Sequence, residues 1–65
     1  MNKYLIDYQL EDEEPNHTVI SANNIEDLAT ALRNHIFHEG VDFGLDKVEA
    51  HNRTLSVTVL DYKLI

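Results

Sequence analysis

The sequence predicts a small α+β domain in which one helix packs on a four-stranded mixed sheet, in the order ββαββ. Three observations carry that prediction. Residues 3–10 and 54–60 alternate apolar and polar side chains with the period of two of a half-buried strand. Between them, Ile25, Leu28, Ala29, Leu32 and Ile36 recur at helical spacing and form one stripe. A chain of 65 residues has room for a single domain, 1–65, and no internal repeat divides it.

The first strand places Tyr4, Ile6, Tyr8 and Leu10 on one face, with Leu5 on the other. Glu11-Asp12-Glu13-Glu14-Pro15-Asn16 follows as a loop, because four successive acids repel one another and Pro15 cannot donate to a ladder. His17–Ala22 is a second strand, close enough in sequence to pair with the first as an antiparallel hairpin. Asn23 or Asn24 caps the helix; Asn23 and Glu26 have capping-box spacing, and Glu26 and Asp27 suit the positive end of the helix dipole. Gly40 is the expected stop. Residues 45–51 form a third strand anchored on Val48, Asn52-Arg53 turns the chain, and residues 54–60 form the fourth strand.

Strands 1 and 4 are the most apolar and belong at the centre, mutually parallel. Strands 2 and 3 carry His17, Asp46, Lys47 and Glu49, which suit edges, so the expected spatial order is 2-1-4-3. The core then sets Ile25, Leu28, Leu32 and Ile36 against Tyr4, Ile6, Tyr8, Leu55, Val57 and Val59. This element order resembles the hairpin–helix–hairpin layout of small β-grasp domains; no motif accompanies the resemblance, and it carries no function with it.

Twelve acids against five bases give a net charge of −7. Direct binding to nucleic acid needs the opposite sign, and an anionic membrane surface repels such a chain. A charged partner is therefore a protein with a basic surface. There is no cysteine, no apolar run long enough to span a membrane and no leader-like segment, so the expected location is the cytoplasm.

Few residues suggest chemistry. His35 and His38 lie three apart on the helix beside Glu39, but a zinc site needs three or four ligands, and His17 or His51 would have to complete it from elsewhere. Asp42 and Asp46 flank Phe43 and Gly44 without a sign of a concave site. No nucleophile elbow or phosphate-binding glycine loop is present. The expectation is a protein that is not an enzyme, with no catalytic residues, no metal and no cofactor.

What is left is interaction. Glu11, Asp12, Glu13 and Glu14 form the candidate contact loop for a basic protein partner. Such a module suits a small regulatory or accessory protein, of the kind carried by phage and mobile elements. The alternative is a homo-oligomer, a homodimer in the simplest case, built through sheet faces or edges. Phe37, Tyr62, Leu64 and Ile65 are its candidate contacts, since these apolar groups are left over once a small core is filled. A third reading makes the acids a mimic of nucleic acid that inhibits a DNA- or RNA-binding protein.

Overall fold

The computed structural model describes residues 1–11 and 13–65; Asp12 of the acidic loop lies outside the described residues. The chain forms β1 (Asn2–Gln9), β2 (Asn16–Ala22), a 3₁₀ turn (Ile25–Asp27), α1 (Leu28–Asp42), α2 (Lys47–Leu55) and β3 (Thr58–Leu64). One antiparallel sheet of order β2-β1-β3 carries α1 on one face, and α2 packs on α1.

The first half of the chain follows its pattern. β1 and β2 pair antiparallel, with Tyr4 opposite Ile20 and Leu5 opposite Val19. Alternation turns Tyr4, Ile6 and Tyr8 inward, where they meet Ile20 and Ala22 of β2 and Leu28, Leu32 and Ile36 of α1. Leu10, just beyond β1, joins them. Each of the leucines and isoleucines among them contributes about 1.5–3 kcal/mol on burial. Asn24, rather than Asn23, caps the helical segment: its side-chain oxygen accepts from the Asp27 N–H at 3.0 Å. That cap starts a 3₁₀ turn, which rotates Ile25 out of the stripe and leaves it exposed.

The second half departs from it. Among the described residues there are three strands and two helices, not four strands and one. Residues 47–55 are helix α2, so neither the strand expected at 45–51 nor the turn at Asn52-Arg53 exists. The cause is local. Asp46 accepts from the Glu49 N–H at 2.8 Å, closing an N-cap, and Ala50 and Thr54, four apart, turn together into the interior. Val48, the supposed strand anchor, is exposed. Because α2 takes up residues 54 and 55, the last strand begins at Thr58 and enters beside Gln9, at the end where β1 finishes. It therefore runs antiparallel to β1, and the order is 2-1-3 instead of 2-1-4-3. Leu55 sits on α2, 70 % exposed, Val59 is exposed, and of the three only Val57 packs on the core. The hairpin–helix–hairpin layout is absent.

Gly40 does not end α1. It is buried inside the helix, where a Cβ would lie 3.2 Å from Ala50 Cβ and 3.3 Å from Leu45 Cδ1; its bareness lets α2 approach. The stop is Gly44, at φ +101°. Its N–H donates to Val41 O and the Leu45 N–H donates to Gly40 O, both at 3.0 Å, which satisfies two end carbonyls in a Schellman arrangement. Gly44→Ala is expected to lower unfolding free energy by roughly 1–2 kcal/mol, since an L side chain there is strained, and Gly44→Asn by less. Urea unfolding of the two variants measures it.

Candidate interaction surface

Glu13 is tied back to the end of β1. The Glu13 N–H donates to Leu10 O at 3.1 Å, and Gln9 Nε2 donates to Glu13 O at 3.0 Å. The Glu13 carboxylate lies 3.5 Å from Arg53 Nη2 on α2, an exposed pair worth at most about 1 kcal/mol. Glu13 thus has a partner within its own chain, although it is exposed, as Glu11 and Glu14 are. The same corner holds the inner end of Tyr8. Burial pushes the Tyr8 phenol above its ordinary value of 10.0; Glu39 and Glu13 add to the shift and Arg53 opposes it. A phenol with a raised folded pKa ionises more readily in the unfolded chain. Stability is therefore unaffected below pH 10 and falls as pH rises through the folded value. Tyr8→Phe is expected to flatten part of that alkaline loss in denaturant titrations above and below pH 10.

The histidines are dispersed. His35 Nε2 pairs with the Glu39 carboxylate one turn on and lies 3.4 Å from Thr18 Oγ1, so it bridges α1 to β2. His38 stands edge-on to Phe37, with ring centroids 5.7 Å apart. His17 lies on β2 and His51 on α2. Among the described residues, no group of three or more His, Asp or Glu side chains is brought together as a metal site would need. Phe37 is half-buried in a shallow groove with His51, Thr54 and Leu55 of α2, and so does not join Tyr62, Leu64 and Ile65.

Those three belong to the most distinctive surface of the molecule. β3 lies at the edge of the sheet, and all seven of its residues are exposed, although its neighbour β1 supplies the centre of the core. The reason is the placement of the helices. α1 lies over β2, and α2 packs on α1, so neither helix covers the β3 side. Tyr62 and Leu64, opposite Ile6 and Tyr4, point to the helical side of the sheet yet find no helix above them. Leu64 is 60 % and Ile65 61 % exposed. Val59 stands opposite Tyr8 on the same side. A bulge between Asp7 and Tyr8 leaves Leu60 without a direct partner, beside Asp7, Asn16 and His17 on the outer face. Val59, expected in the core, is exposed. The readable signal was that Leu60, Tyr62 and Leu64 continue an apolar series past the expected strand end.

Comparison with protein-family models, characterised proteins and solved structures returns no match. Among the described residues, no helix is long and apolar enough to cross a membrane.

Proposed function

We propose that the chain is a non-catalytic protein-interaction module that docks through β3 and the uncovered strip of sheet beside it. One observation supports this above all: an edge strand with free backbone groups carries Val59, Leu60, Tyr62, Leu64 and Ile65 in the open. Long apolar edges of this kind are the usual templates for adding a strand, and soluble proteins otherwise blunt or cover them. The absence of cysteine suits work in the reducing cytoplasm.

A second reading keeps the acidic loop as the contact with a basic protein, because Glu11 and Glu14 are exposed. It ranks lower because Glu13 is already held by Arg53.

Site-specific photo-crosslinking separates them. A photoreactive residue in place of Leu64 is expected to capture a protein in cells of the native host, whereas one in place of Glu14 or of exposed Asn34 captures none. Capture from Glu14 alone would replace the β3 reading with the acidic one.

A further inference from the structure

The free edge of β3 is self-complementary. The Ile65 N–H donates to Lys3 O at 3.0 Å, so the Ile65 backbone faces β1. Antiparallel alternation then turns Lys63 and Asp61 toward β1 as well, and turns the N–H and C=O of Tyr62 and Leu64 outward. The Tyr62 N–H accordingly has no strand partner; it donates to Asp61 Oδ1 at 2.9 Å. Asp61 and Lys63 flank Tyr62, both on the face away from the helices. Asp61 stands directly opposite Asp7, a like-charge pair, and among the described residues neither carboxylate has an ion-pair partner.

Two-fold antiparallel pairing of this edge with itself must centre on one residue for the two sheets to keep the same face. Centring on Asp61 sets Asp61 against Asp61 of the other copy, and centring on Lys63 does the same with lysines. Centring on Tyr62 sets Asp61 of each copy against Lys63 of the other, twice. It also joins the two outward Tyr62 backbones as a hydrogen-bonded pair, with the two Tyr62 side chains adjacent on the helical face. Each Tyr62 N–H then exchanges its bond to Asp61 for one across the edge, which frees the carboxylate for the incoming ammonium beside Asp7.

We infer that the occupant of the β3 edge is a second copy of this chain, paired antiparallel about Tyr62 to give a continuous six-stranded sheet of order β2-β1-β3-β3-β1-β2. The inference rests on the proposal that β3 docks a protein, and it names the partner. Both helical layers fall on the same side of that sheet, and the two uncovered strips adjoin between them. The net charge of −7 on each copy works against association, so the test belongs in moderate salt.

Sedimentation equilibrium of the full chain, with Asp61→Lys, Lys63→Asp and the double exchange, tests it. The wild type is expected to form a species of twice the 7.5 kDa chain mass at micromolar concentration. Each single substitution sets like charges together at two symmetric places and raises the dimer dissociation constant roughly tenfold. The double exchange returns it to near the wild-type value. Asp61→Lys is the discriminating variant, because it moves the chain's charge toward zero. If net charge alone governed association, it would strengthen the dimer. Far-UV circular dichroism checks that every variant is folded. A wild type that stays at 7.5 kDa up to millimolar concentration overturns the inference, and so does a dimer indifferent to the single substitutions or not restored by the exchange. A monomer that still cross-links from position 64 to a different protein overturns the choice of partner and leaves docking on β3 standing; no capture from β3 at all removes the docking proposal as well.

Discussion

Leu32→Ala is expected to lower unfolding free energy by about 2–5 kcal/mol, a large share of what a chain this size has. Leu32 is completely buried at the middle of the α1 stripe, between Leu28 and Ile36, in the cluster built on Tyr4, Ile6 and Tyr8. Truncation removes the transfer free energy of the lost carbons and leaves a cavity that a two-layer domain has few side chains to refill. The margin is small. At the usual 0.05–0.15 kcal/mol per residue, a chain of 65 residues has roughly 3–10 kcal/mol in total. Leu55→Ala is the matched control. Leu55 is 70 % exposed on α2, and its truncation is expected to cost less than about 0.5 kcal/mol. Urea unfolding followed by circular dichroism distinguishes the two. Equal losses would place Leu32 and Leu55 in the wrong environments and restore the core in which Leu55 lies under the helix.

The second large effect belongs to Gly40→Val. A Cβ at Gly40 already stands 3.2 Å from Ala50 Cβ and 3.3 Å from Leu45 Cδ1, and Ala50 Cα is only 3.5 Å away. Ala50 is fully buried and short, so it cannot swing aside. The two γ-methyls of valine therefore push α2 off α1, at a cost of about 1–3 kcal/mol as overpacking does elsewhere. Gly40→Ala is gentler. It gains up to about 1 kcal/mol of helix propensity against a contact that must yield by a few tenths of an ångström. Amide exchange resolved by residue reads the result. Gly40→Val is expected to loosen Lys47–Leu55 while β1 and β2 stay protected. Uniform protection in that variant would show that α2 does not rest on Gly40.

The contrast between these sites explains what the sequence disclosed. Leu28, Leu32 and Ile36 could be read because α1 is long, apolar on one side and preceded by a 3₁₀ turn that Asn24 caps, and the alternation of β1 and β2 is equally plain. Residues 45–58 misled because α2 spans nine residues and buries only Ala50 and Thr54, so its helical period has two marks. Val48 and Ala50, two apart, imitate a strand over the same stretch. The overlooked cue was Asp46 with Glu49 three residues on, a capping spacing one helix later than the one that was read. Thr54, Leu55 and Ser56 alternate as a strand would, yet the Thr54 and Ser56 hydroxyls donate to the carbonyls of His51 and Arg53, at the end of a helix.

The candidate surface was legible only in part. Tyr62, Leu64 and Ile65 stand out as apolar groups beyond the expected fourth strand, and they do lie together on the open edge. Phe37 has the same composition signal but is turned toward α2, a difference that depends on a helix the pattern did not reveal. The pull of Arg53 on Glu13 was hidden for the same reason, since Arg53 was expected in a turn.

Amide hydrogen exchange along β3 in dilute solution tests the claim of an open docking edge most directly. At concentrations low enough to keep the chain unassociated, the amides of Lys63 and Ile65, which face β1, are expected to exchange slowly, while those of Tyr62 and Leu64, which face outward, exchange fast. Raising the protein concentration should then slow Tyr62 and Leu64 selectively. Equal, strong protection of all four amides in the dilute chain would mean that the edge is already covered from within, and would contradict the account.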